Sequence, residues 1–192
     1  MLKNTDPAIT LEHAFDRIFY PGVGVSKEKL HPTLVQFYDA VFPALKKYTQ
    51  QIPTAIEMIR QALANRLKIV IATNPLFPLM AIQQRLIWAG LSPKEISYSL
   101  IACYEDFHFT KPNPAYYQEI ITKLGVKASE CVMVGNDLEM DILPALSMGI
   151  HCFRIENNEK RNILKDNYTS GMHQQVIPWI SNLNSTPETG II

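Results

Sequence analysis

Residues 131–145 read CVMVGNDLEMDILPA, an apolar run that breaks at Gly135 and is followed at once by Asn136, Asp137 and Asp141. Carboxylates at the end of a buried strand supply the hard oxygens that Mg²⁺ takes, usually one or two together with waters and a substrate phosphate. Two other polar groups stand at comparable points: Thr73 and Asn74 close the run IVIATN, and Lys111 opens KPNP. A hydroxyl and an ammonium suit phosphoryl oxygens. Singly, each residue has a plain explanation: Thr73 as a strand-end hydroxyl, Lys111 as a solvated lysine, Asn136 with Glu139 as a capping box. Their ordered placement at three successive strand ends points instead to a metal-assisted phosphoryl site.

Within the acidic stretch, Pro144 decides the local reading. Proline inside an established helix costs about 3 kcal/mol but is tolerated in a first turn. The helix is therefore expected to start near Asp141 as its cap, with GNDLEM as a loop. Asp137 then becomes the expected direct metal ligand, and Asp141 the residue that holds the loop or its waters.

These residues need a scaffold, and the sequence from residue 66 describes one. Short apolar runs at 68–73 (KIVIAT), 99–104 (SLIACY), 131–135 (CVMVG) and 151–155 (HCFRI) read as strands buried on both faces. Between them FPLMAIQQRLIWAG, NPAYYQEIITKLG and DILPALSMG carry helical spacing and close on Gly90, Gly125 and Gly149. Alternating strand and helix predicts an α/β fold, a Rossmann-like parallel sheet with ligands at the carboxyl ends of its strands. Pro75 in TNP, and Pro112 or Pro114 in KPNP, mark expected first helical turns, whose free amides attract anions.

The first 65 residues form a helical block without strands, with Leu11, Phe15, Ile18 and Phe19 on one stripe. Leu30, Leu34, Phe37, Tyr38, Val41, Phe42 and Leu45 make another. The expected organisation is thus a helical domain over 1–65, an α/β core over 66–184 ending in a helix within HQQVIPWISNL, and a frayed tail over 185–192. PGVGVSKEK, at 21–29, lacks the GK[ST] ending of a phosphate loop and reads as a turn. His108 reads as a loop histidine, and Glu105 with Asp106 as a solvated loop pair.

Eighteen basic and eighteen acidic residues cancel. No overall field draws the chain to nucleic acid or to an anionic membrane, so any anion site is local. Cys103, Cys131 and Cys152 sit in separate apolar runs, a pattern of reduced cytoplasmic thiols. No apolar run approaches the roughly 18 residues of a membrane span, and MLKNTDPAIT has no secretory core.

The ordered set resembles the haloacid dehalogenase-like hydrolases, in ATNPLFP, RLIWAGL, KPNPAYY and VGNDLEMD. The resemblance covers residues 67–155, and the helical block is similar to the cap that selects substrate in that superfamily. It implies a Mg²⁺-dependent phosphatase acting on a small phosphorylated substrate: Thr73 and Asn74 hold the phosphoryl group, Lys111 neutralises charge, and the loop of Asn136, Asp137 and Asp141 holds the metal. It also implies an aspartate nucleophile in a DxD motif after a first, central strand, forming an aspartyl-phosphate. No two aspartates of this chain stand in that spacing, and Asp6 and Asp16 follow no apolar strand. The expectation is a chain whose Met1 falls inside the cap, lacking on the order of 20 residues or more, and inactive alone. Asn136 stands where the family more often has aspartate. The alternatives are a non-catalytic binding protein on the same scaffold and a dehalogenase, which needs no metal.

Overall fold

In a computed structural model, helices fill the chain as far as Ala64 and the first strand begins at Val70. The structure describes residues 4–156, 163–165 and 167–184. The chain divides into two compact units, Met1–Ile52 with Val70–Thr110, and Pro53–Ile69 with Lys111–Ile192.

In the first unit, α1 (Leu11–Val23) is capped by Thr10, whose side chain accepts the His13 amide, and ends on Gly24 at φ 68°. Only glycine adopts that left-handed turn freely. Ser26 precedes α2 (Lys27–Gln36), so PGVGVSKEK spans the end of α1, a short turn and the start of α2, and the expected turn is confined to its middle. Leu11 is fully buried, but Ile18 is 69% exposed, so the first expected stripe is not one continuous core face. The second stripe also splits. Tyr38 and Phe42 pack against Ala81 and Trp88, while Phe37, Val41 and Leu45 face outward. A wide turn at Phe37–Val41 followed by a tight helix at Phe42–Tyr48 breaks the 3.6-residue phase on which the stripe depends.

The strands of this unit are β1 (Val70–Ile71) and β2 (Leu100–Ile101), paired in parallel with Val70 opposite Leu100. Helix α4 (Leu79–Trp88) lies between them in sequence. Its Ile82 and Leu86 pack with Cys103, Ile71 and Leu91. Both strands are half-buried rather than covered on both faces. They are also shorter than their apolar runs.

The second unit opens with α3 (Pro53–Ala64) and continues with α5 (Pro114–Leu124), β3 (Val132–Gly135), α6 (Leu143–Ser147) and β4 (His151–Ile155). Strands β5 (Ile163–Lys165) and β6 (Tyr168–Gly171) follow, then α7 (Val176–Asn184). The strand order is β3-β4-β6-β5, with β3, β4 and β6 parallel and β5 antiparallel. Parallel strands and intervening helices make this the expected α/β architecture. Strands β5 and β6 lie in the polar stretch before the last helix, where the sequence offers no apolar run, yet β6 adds to the sheet beside β4. Cys152, Phe153, Tyr116, Tyr117 and Ile142 form the deepest part of the core, and Phe153 meets Trp179 of α7 at 5.2 Å between ring centroids. The tail 185–192, expected to fray, lies outside the described residues.

Among the described residues, β1 pairs only with β2, and β3 only with β4. Among the described residues, β1 and β3 therefore each have one edge with no strand beside it.

Candidate active site

The site is built where β3 ends. Gly135 is required there by close approach: a Cβ added to it would stand 2.5 Å from Cβ of Asp141, so the Asp141 side chain fills the place of the missing one. The Oδ2 atom of Asp141 accepts the backbone amides of Asn136 and Asp137, each at 3.2 Å. Its Oδ1 accepts Nζ of Lys111 at 2.6 Å. Both partners are buried, Lys111 at 7% exposure and Asp141 at 8%. A buried charge is tolerated when it is both paired and hydrogen-bonded, and this pair is.

Asp137 caps the turn that follows, its Oδ1 accepting the amides of Glu139 and Met140 at 3.0 Å each. The turn Leu138–Ile142 is wide, with the Ile142 amide reaching back five residues to the Asp137 carbonyl. Helix α6 begins only at Leu143, with Pro144 inside its first turn. The expected cap at Asp141 is thus corrected to Asp137. An acceptor ahead of the wide turn satisfies the first free amides, while Asp141 is engaged with Lys111. Asn136 and Asp137 are exposed. The Asn136 carbonyl accepts Nε of Arg154, a β4 residue in register with Gly135.

Lys111 is delivered by the loop before α5. Asn113 caps that helix by accepting the Ala115 amide at 3.0 Å, with Pro114 as its first residue. Of the two prolines proposed for that turn, the structure selects Pro114. The buried face of α5 carries Tyr116 and Tyr117. The Tyr117 hydroxyl donates to the carbonyls of Met140 at 2.7 Å and Asp141 at 3.2 Å. Burial, and then the negative charge of Asp141, push its phenol well above the usual tyrosine range. It stays a donor at any ordinary pH.

Thr73 and Asn74 belong to the other unit, in irregular chain just after β1. Pro75 does not start a helix; α4 begins four residues later at Leu79, whose amide is taken by both carboxylate oxygens of Glu105 at 3.0 and 3.1 Å. That helix end is satisfied by the protein itself. Glu105 is therefore a cap rather than a solvated loop residue, while Asp106 accepts from the Cys103 thiol at 3.5 Å.

The structure thus brings Lys111, Asn136, Asp137 and Asp141 together within one unit. Among the described residues, no three His, Cys, Asp or Glu side chains cluster closely enough to hold a metal ion by themselves. The sequence reading placed Gly135 only as the end of a strand and missed Tyr117 and Arg154, because a core tyrosine and a strand arginine carry no motif.

The sequence profile of the haloacid dehalogenase-like hydrolases matches residues 11–149. The chain belongs to this family. Two curated relatives are each named glyceraldehyde 3-phosphate phosphatase. That of Methanocaldococcus jannaschii is 26% identical over 175 residues, covering 88% of this chain and 72% of the relative. That of Methanopyrus kandleri is 29% identical over 132 residues, covering 68% of this chain and 52% of the relative. Among solved structures, a haloacid dehalogenase-like phosphatase from Thermococcus onnurineus superposes with a TM-score of 0.52 at 20% identity, covering 89% of this chain and 90% of its own. A family hydrolase from Bacillus subtilis, bound to magnesium, gives 0.54 at 22% identity over 68% of this chain and 56% of its own. These two likenesses concern the fold. Among the described residues, no helix of this family member is long and apolar enough to cross a membrane.

Proposed function

We propose that the chain is the greater part of a cytoplasmic, Mg²⁺-dependent phosphatase that cleaves a small phosphomonoester through an aspartyl-phosphate. The observation that carries this is the buried Lys111–Asp141 pair, seated on Gly135 and tied by two backbone amides to Asn136 and Asp137. A lysine held this way presents fixed positive charge with no reorganisation at the moment of reaction. Two relatives named for a phosphorylated aldehyde support a small phosphate ester as substrate.

In this reading Lys111 balances negative charge on the transferring phosphoryl group. Asp137 would hold the metal with the Asn136 side chain, since both are exposed and Oδ2 of Asp137 has no hydrogen-bond partner among the described residues. Asp141, engaged by Lys111 and two amides, orients that loop rather than supplying a ligand. The donor set suits Mg²⁺, which takes few protein oxygens. When bound, the metal would draw charge from the phosphoryl oxygens. Thr73 would donate its hydroxyl to a phosphoryl oxygen beside Asn74; their part rests on the family resemblance alone.

The attacking carboxylate is not among the residues of this chain in the family's DxD spacing. We propose that it comes with a further strand, for which the edge of β3 that has no strand beside it among the described residues gives the motive. That carboxylate would attack phosphorus as the ester P–O bond breaks, the leaving oxygen would take a proton from solvent and depart as an alcohol, and water would then hydrolyse the aspartyl-phosphate, releasing phosphate and restoring the carboxylate. The 192 residues alone should show no EDTA-sensitive turnover of p-nitrophenyl phosphate or glyceraldehyde 3-phosphate. The same residues joined to a strand ending in Asp-x-Asp should show it. Turnover by the chain alone would refute the outside nucleophile. An inert extended protein would favour a non-catalytic binding role.

A further inference from the structure

We propose that the hydroxyl of Tyr117 is a positioning group for the acidic loop, latching the backbone at Met140 and Asp141 so that the Asp141 carboxylate faces Lys111. This deepens the phosphatase reading and takes its catalytic meaning from it, but the geometry stands on its own.

A tyrosine in a core usually offers its ring to packing and its hydroxyl to whatever acceptor is near. Tyr117 is 2% exposed, and its hydroxyl reaches two consecutive carbonyls, Met140 at 2.7 Å and Asp141 at 3.2 Å. Those carbonyls lie in the wide turn Leu138–Ile142, whose hydrogen bonds are longer-range than those of an α-helix. Such a turn holds its shape less firmly by itself, so a side-chain donor anchored elsewhere can fix it.

The anchor is the lysine's own segment. Lys111 and Tyr117 are six residues apart, joined by the Asn113 cap and the first turn of α5. They grip the same residue from two directions, Lys111 at the carboxylate of Asp141 and Tyr117 at its carbonyl. A shift of the turn away from α5 would break both bonds and would release the amides of Asn136 and Asp137 from Oδ2. Arg154, bonded to the Asn136 carbonyl, holds only the other end of the loop. The hydroxyl therefore sets the height of Asp141 above Gly135, and with it the place of the Lys111 charge.

The test is Tyr117→Phe, which keeps the ring in the core and removes one oxygen. Ile180→Val on α7 serves as the control for general loss of stability, and urea midpoints place the two on one scale. Amide hydrogen exchange, followed residue by residue by NMR in the 192-residue chain, is the readout. In Tyr117→Phe the Asn136 and Asp137 amides should exchange about tenfold faster, as the loss of roughly one hydrogen bond implies, while those of Phe153 and Arg154 in β4 follow the control. If the loop amides change no more than in Ile180→Val at matched stability, the hydroxyl is only a satisfied core group and the inference fails. Exchange reports the loop whether or not an ester is hydrolysed. An inactive extended enzyme with selectively loosened loop amides would therefore overturn the phosphatase reading and leave the latch intact.

Discussion

At Asp141 one carboxylate carries three hydrogen bonds, to Lys111 and to two amides of its own loop. Removing its charge takes from a buried ammonium the carboxylate that lies 2.6 Å away, which costs about 3–5 kcal/mol for a pair this well buried. Asp141→Leu should therefore lower the urea unfolding free energy by about that amount. Lys111→Met with Asp141→Leu should cost much less than the two single changes summed, a coupling that a double-mutant cycle measures. The thiols differ in the same residue-scale terms. Cys103 and Cys152 are fully buried, and burial pushes both up, Cys152 to about 12. Cys131 is only half-buried, and its thiol is raised by burial and then by the charge of Glu130. The thiolate is the reactive form. At pH 8 one thiol, that of Cys131, should react with Ellman's reagent at least about tenfold faster than the other two. In urea all three should react alike.

Among the elements, β3 and the wide turn after it are joined through Gly135. Alanine there would drive its Cβ to 2.5 Å from Cβ of Asp141, an atom fixed to the backbone rather than the far end of a flexible chain. The turn must move, and Gly135→Ala should cost about 1–3 kcal/mol in urea unfolding, as overpacking does, and loosen the Asn136 and Asp137 amides. Helix α3 and the turn at His173–Gln175 meet through Thr54 Oγ1 and His173 Nδ1 at 3.4 Å. Burial holds the His173 imidazole below its ordinary 6.5. The unfolded chain then binds the proton more readily, so stability is full above about 6.5 and is lost as pH falls from there through the lower folded value. The melting temperature should fall between pH 7.5 and 5.5, and His173→Asn should flatten that fall. The sequence made β3, β4, α4 and α5 legible because their apolar runs and closing glycines are local signals. It hid the phase break at Phe37–Val41, since an extra residue in a turn leaves no trace in composition. It also hid β6, whose pairing comes from a neighbouring strand.

On the scale of the whole molecule, the candidate site was legible in part. Lys111, Asn136, Asp137 and Asp141 could be chosen by type and position, but the seating of the Asp141 carboxylate between Lys111 and the amides of Asn136 and Asp137 depends on three-dimensional approach over Gly135. The division of the chain was less legible, because α3 falls with the later strands while β1 and β2 fall with the first helices. Unit membership follows contacts made after folding, and no composition shift marks it. Two global properties do follow from sequence and surface together. The chain carries no net charge near neutrality, with a pI of about 7.0. Repulsion between copies is then weakest at the pH where most assays are run. The surface adds apolar groups: Ile18, Val41, Tyr48 and Ile52 are 54% exposed or more. Light scattering at low salt should therefore show self-association greatest near pH 7 and relieved at pH 8.5, where the chain gains negative charge. Val41→Glu with Ile52→Glu should shift the pH of greatest association downward and weaken association at neutral pH, because each change removes exposed apolar area and adds a negative charge. If association were equally strong at both pH values and untouched by the pair, neither the charge balance nor this surface would govern it.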